Sequence, residues 1–305
     1  MRLKRIKKPA WILLAALLAH AETPTASITG FLADSGGGAL VGAEVVLEEL
    51  DTGIKRSTAT NEAGVYQLLG LRPGRYELTA SAPGFTASRR TNIVVRVSDE
   101  LRIDLVLVPA GQRETIEVTE SAPLVQTESG TVSAVVGQRA IQELPVDGRQ
   151  LQNLALIVPG VSAGWNVSTA SNRYGKAREN TEGAFNVNGA RSRSNDFLLD
   201  GMPMNLRQYS VINFEPSTEA VQEFAVLSAA PAAEYGRTMG GQISVITRSG
   251  SNAFHGSAYE FFRNDALNAN DTLSKRAGLP RGTVRHNQFG GSLGGPIWRN
   301  KHFFF

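Results

Sequence analysis

The 305-residue chain is long enough for two or three domains, and its 42% hydrophobic content can fill their cores. It contains no cysteine, which excludes a disulfide framework, thiolate metal sites and cysteine nucleophiles. Its 31 Lys and Arg stand against 28 Asp and Glu, but five of those cations and none of the acids fall in residues 1–21, so the rest carries 26 against 28, a net of −2, and gives no support to nucleic-acid binding.

Those first residues, "MRLKRIKKPAWILLAALLAHAE", hold Arg2, Lys4, Arg5, Lys7 and Lys8, then an apolar run over 11–19, then Ala19-His20-Ala21. Cationic head, short apolar stretch and small-x-small site together predict a secretory signal peptide over 1–21, cleaved after Ala21. The nine apolar residues fall well short of the roughly 20 that a membrane-spanning helix needs.

From 23 to 110 the chain reads as short strands separated by Gly, Pro and Asn/Asp turns, the spacing of an all-β sandwich. Tyr76, Leu78 and Ala80 alternate with Glu77 and Thr79. Leu101, Ile103, Leu105 and Leu107 fall on one face, opposite Arg102 and Asp104. The string "LRPGRYELTASAPGF", with "GAEVVL" and "NEAGVY" before it, resembles the carboxypeptidase regulatory-like domain. That resemblance implies a transthyretin-like sandwich of seven strands and no peptidase chemistry. No HExxH or comparable metal constellation is present, the histidines being His20, His255, His286 and His302.

Composition shifts after Val108-Pro109-Ala110-Gly111, where a second domain over 111–250 begins. "ETIEVTE" alternates Thr115, Glu117 and Thr119 with Ile116 and Val118, a short strand. Leu151, Leu154 and Val158 recur at helical spacing, and Pro159-Gly160 ends the segment. A Gly/Ser/Asn-rich stretch without apolar periodicity follows over 162–180, and strands around tight Gly turns then complete a small, loop-rich α/β domain. "LPVDGR", "PGV", "NGAR", "FLLDGM", "VQEF", "AEYGR" and "GGQISVITRSGSNAFHGS" follow one another in the order and spacing of the plug domain of TonB-dependent outer-membrane receptors. The likeness is to the Oar-like branch, which carries a regulatory-like sandwich before the plug.

The resemblance puts Glu114, Thr115, Ile116, Glu117, Val118, Thr119 and Glu120 in the place of a TonB box. That segment pairs as an added strand with the periplasmic energy-coupling protein TonB, which calls for an extended backbone with free N–H and C=O groups. Asp147, Arg149, Arg191, Arg193, Asp200, Glu223, Glu234 and Arg237 read as ion pairs within the plug and to the barrel wall, with Asp200-Gly201 as a turn. No Ser-His-Asp order, paired-acid constellation or phosphate loop stands out, so the chain is read as no enzyme and as needing no cofactor.

Over 251–305 the texture becomes aromatic and alternating. Phe289, Leu293 and Ile297 share one face, with His286, Gln288, Ser292 and Gly294 on the other, the pattern of a membrane-crossing β-strand. These residues have room for about three strands of about 10 residues, whereas bacterial outer-membrane barrels start at eight. The reading is therefore multidomain: an all-β sandwich, a small α/β plug and the first strands of an incomplete transmembrane β-barrel, the chain stopping inside the barrel at "KHFFF". The resemblance implies part of a receptor in the outer membrane, its N-terminal domains periplasmic, for ligand-gated uptake of an unidentified siderophore, glycan, peptide or cobalamin. A secreted or surface-associated binding module using the β-sandwich is the competing reading.

Overall fold

The computed structural model describes residues 26–110, 117–118, 132–144, 149–163, 185–191, 194–206, 211–212, 214–229, 236, 238–270 and 272–305. The first region is a two-sheet sandwich. One sheet contains β1 (Ala26–Asp34), β4 (Val65–Leu71), β7 (Glu100–Arg102) and β8 (Leu105–Leu107). The other runs β3-β2-β5-β6, from β2 (Glu44–Glu49), β3 (Lys55–Ala59), β5 (Gly74–Ser81) and β6 (Ser88–Val95). Alternating side chains fill the space between, so Ile28, Leu32, Val45, Leu47, Leu78, Ala80, Ile93 and Val95 are all buried in one core. Leu101, Ile103, Leu105 and Leu107 join it as their alternation predicts.

The last strand is nonetheless broken into β7 and β8, both parallel to β1. The cause lies across the sheet at Gly30, where a Cβ would stand 1.8 Å from the Ile103 carbonyl oxygen. The chain passes that glycine closely, and side chains take the ladder groups there: the Phe31 N–H donates to Asp104 Oδ1 at 2.8 Å and the buried Tyr66 hydroxyl donates to the Ile103 oxygen at 2.6 Å.

The second region is built on a five-stranded sheet. It runs from β10 (Val132–Gly137) through β17 (Val221–Ala229), β18 (Gln242–Thr247) and β13 (Asp196–Leu199) to β14 (Met202–Pro203). Phe197, Phe224, Val226, Ile243 and Val245 line its inner face, covered by the short helix Gln138–Glu143 and by residues 151–157. Leu151, Leu154 and Val158 are buried as their spacing predicts, but Leu151–Ile157 is a 3₁₀ helix rather than an α-helix. Two small ribbons, β11 (Val161–Ala163) with β12 (Phe185–Val187) and β15 (Asn205–Leu206) with β16 (Val211–Ile212), complete the region. Most of the Gly/Ser/Asn-rich stretch lies outside the described residues. The Asp200-Gly201 turn is present: both residues have positive φ, 47° and 81°, and they close the hairpin of β13 and β14.

The third region is an antiparallel meander of β19 (His255–Asn264), β20 (Arg285–Trp298) and β21 (His302–Phe304). Phe289, Leu293 and Ile297 are exposed on one face at 79%, 61% and 64%, in keeping with an outward apolar stripe. On the opposite face the Ser257 and Ser292 hydroxyls meet at 2.9 Å. Three strands leave the sheet open. No helix among the described residues is long and apolar enough to cross a membrane, which says nothing of strands.

Candidate functional site

Three sets of residues join the regions. The first is the segment 114–120, of which Glu117 and Val118 are described; Glu114, Thr115, Ile116, Thr119 and Glu120 lie outside the described residues. Glu117–Val118 forms β9, which pairs in parallel with β6 at Arg89 and Arg90 and ends the sheet β3-β2-β5-β6-β9. One edge of this short strand is therefore occupied by the sandwich. The sequence pattern predicts an extended backbone but cannot name that partner.

The second set joins the second region to the third. Arg149, at a positive φ of 54°, carries a nearly buried side chain that pairs with Glu219 and donates to Thr218. Its guanidinium lies 3.7 Å from the Phe261 ring centroid and 5.7 Å from that of Tyr259, both on the side of β19 that faces the second region. Ser217 donates to the second Glu219 oxygen at 2.7 Å, so the acid is held from two sides. The arrangement matches the ion-pair reading of Arg149 and adds an aromatic seat. Asp200 is spent differently, accepting from the Thr247 N–H at 2.9 Å and the Thr247 hydroxyl at 2.7 Å, which ties the hairpin turn to β18. Arg191 is exposed, while Asp147, Arg193, Glu234 and Arg237 lie outside the described residues.

The third set seats the sandwich on the other two regions. The Val97 N–H donates to Glu223 Oε2 at 2.9 Å, and Gln222 Nε2 donates to the Pro73 carbonyl at 3.0 Å. Asn252, just before β19, donates from its backbone to Asp51 O and from its side chain to Thr52 O and to Asn300 Oδ1 in the β20–β21 turn. Burial pushes the Glu223 carboxyl up to about 7 against the pull of the Val97 N–H. Where the three regions meet, a cleft of about 810 Å³ opens, lined among others by Glu49, Arg56, Arg72, Arg248, His255 and Lys301. Burial raises the Glu49 carboxyl there, opposed by its hydrogen bond from Thr52. The signs of the cleft charges are mixed, and no group of three or more metal-ligating side chains occurs among the described residues.

Val97, Glu219, Asn252, Tyr259 and Phe261 are not singled out by the sequence pattern. Each looks like an ordinary loop or strand residue until a partner far along the chain is placed against it.

Family models tile the chain. The carboxypeptidase regulatory-like domain matches residues 27–108, the TonB-dependent receptor plug domain 124–242 and an outer-membrane β-barrel domain 246–305. The TonB-dependent transporter Oar of Myxococcus xanthus is 27% identical over the whole chain, which spans 29% of that relative's length. Among solved structures, the siderophore receptor PirA of Acinetobacter baumannii aligns with 55% of this chain and 22% of its own, at 20% identity and a TM-score of 0.39. A mutant of the ferric enterobactin receptor of Pseudomonas aeruginosa aligns with 54% and 22%, at 16% identity and a TM-score of 0.38. The dioxygenase domain of a carbohydrate-binding fusion from Streptomyces sp. SirexAA-E aligns with 30% of this chain and 84% of its own, at 14% identity and a TM-score of 0.25. These structural overlaps are too slight to bear on function.

Proposed function

We propose that this chain, which belongs to the TonB-dependent outer-membrane receptors by its sandwich, plug and barrel domains, serves as the occluding and energy-coupling part of such a receptor. The plug shuts the barrel until ligand arrives, and a pull on residues 114–120 opens a path. The observation that carries this reading is the seat of Arg149. A plug residue paired with plug Glu219 lies against Tyr259 and Phe261 of the first wall strand, so the plug is fastened to the barrel's inner face. In chain order the segment 114–120 falls between the sandwich and the plug. Coupling occurs by β-augmentation, TonB pairing as an added strand with the segment Glu114, Thr115, Ile116, Glu117, Val118, Thr119 and Glu120.

In this reading the signal peptide is removed after Ala21, the sandwich and plug face the periplasm, and Phe289, Leu293 and Ile297 face lipid. The cargo is a small ligand of the siderophore, glycan, peptide or cobalamin class. The chain's own residues supply gating and coupling, and no chemical conversion is assigned to them. The test places cysteine at Ile116 or Val118 of the full-length receptor and seeks a disulfide adduct with the C-terminal domain of TonB. A ligand-enhanced adduct is expected, and its absence at both positions would remove the coupling role.

A further inference from the structure

The turn between β6 and β7 presents an unusual side chain at its tip. Asp99 N–H donates to Arg96 O, Arg96 N–H donates to Asp99 Oδ2, and Ser98 takes a φ of 60°, which fixes a tight turn with Val97 at its corner. A valine at such a corner would ordinarily stand in water. Here it is fully buried, packed on Val135 of β10, Ala225 and Leu227 of β17 and Ile246 of β18. This is the face of the plug sheet opposite its main core. Register slips between Val221 and Glu223, and the bulge brings Gln222 and Glu223 side by side onto the sandwich, the one on Pro73 and the other on Val97.

We propose that the Val97 corner is a key by which the sandwich clamps β10, an edge strand of the plug sheet, and that Glu223 sets the strength of the clamp. β10 starts at Val132, 12 positions after Glu120, so among the described residues it is the next element along the chain from the coupling segment. With Val97 seated, β10 is held by β17 on one edge and by the sandwich on one face. The sandwich must lift before the strand can leave. The part concerning pulling rests on the coupling role of residues 114–120; the docking of Val97 does not.

Charge gives the clamp a direction. The charged groups facing Glu223 are Arg96 and Asp99 of the sandwich, and its partners across the plug sheet, Gly137 and Ile246, carry none. Burial raises the Glu223 carboxyl to about 7 in the docked state, and the part of that burial the sandwich supplies favours docking in the neutral form. Docking is therefore strongest at low pH and weakens as pH rises through about 7.

Hydrogen exchange on the intact receptor tests this without ligand or TonB. Val97→Asp is expected to raise exchange in residues 96–99 and in β10 at least tenfold, with β1, β4 and β5 of the sandwich unchanged. If 96–99 opens while β10 stays protected, the clamp is refuted. If the variant unfolds the sandwich, the native protein decides through its pH series. After correction for intrinsic rates, exchange in 96–99 and β10 should rise together from pH 5 to pH 8, and Glu223→Gln should flatten the rise. A flat native series, or a rise confined to 96–99, overturns the proposal. The TonB crosslink fails or succeeds independently of both.

Discussion

Arg149→Met tests the fastening of plug to wall. The Arg149 and Glu219 side chains are 16% and 9% exposed, so their pair is largely shielded from water. Removing one member of a buried pair costs roughly 3–5 kcal/mol, because the other charge is left uncompensated. Ser217 still donates to Glu219 at 2.7 Å and Thr218 at 3.1 Å, which sets the loss at the low end of that range. Losing the cation from the Phe261 face removes about 1–2 kcal/mol more. The sum is about 4 kcal/mol, or roughly 10 °C or more in the melting temperature of a domain this size. A double-mutant cycle with Glu219→Met, read by thermal unfolding and by hydrogen exchange of the plug in the intact receptor, should show coupling of about 3 kcal/mol. If the two substitutions add to within about 0.5 kcal/mol, the pair is not the fastening and the argument fails.

Gly30→Ala drives a methyl into the Ile103 carbonyl and should cost the sandwich about 3 kcal/mol or more, seen as a lower urea midpoint; an unchanged midpoint would mean that β1 and the β7–β8 junction separate freely. Asp200→Ala removes two hydrogen bonds to Thr247 and leaves alanine at positive φ, so about 2–3 kcal/mol should be lost, whereas Thr247→Val, which removes one of them, should lose about 1 kcal/mol. Leu293→Arg on the outward stripe should lower the heat-resistant folded fraction of the intact receptor, by up to about 2–4 kcal/mol if the position is near mid-membrane, whereas Ser292→Asn on the opposite face should have little effect. Equal effects at the two positions would contradict the assignment of faces.

What the sequence determined by itself was local. The two-residue period of Leu101, Ile103, Leu105 and Leu107 placed all four in the core, because a strand's faces follow from its own pleat. Asp200-Gly201 announced its hairpin because positive φ is a property of those residues and not of their neighbours. The domain succession came from the resemblance of the ordered motifs to a known family, and the family models match in the same order. Only the tertiary structure decided what each element touches. The break between β7 and β8 depends on Gly30, more than seventy positions earlier, and the seat of Arg149 depends on Phe261, more than a hundred later. The partner of β9 is a sandwich strand that pattern could not select, because any exposed strand edge satisfies an extended backbone equally well. Val97 shows the difference most sharply: no pattern in its sequence marks it, yet it stands at the corner of a tight turn and a second domain's sheet buries it. Period and turn chemistry are written in neighbouring residues, whereas partner choice is settled by surfaces that meet only once the chain is folded.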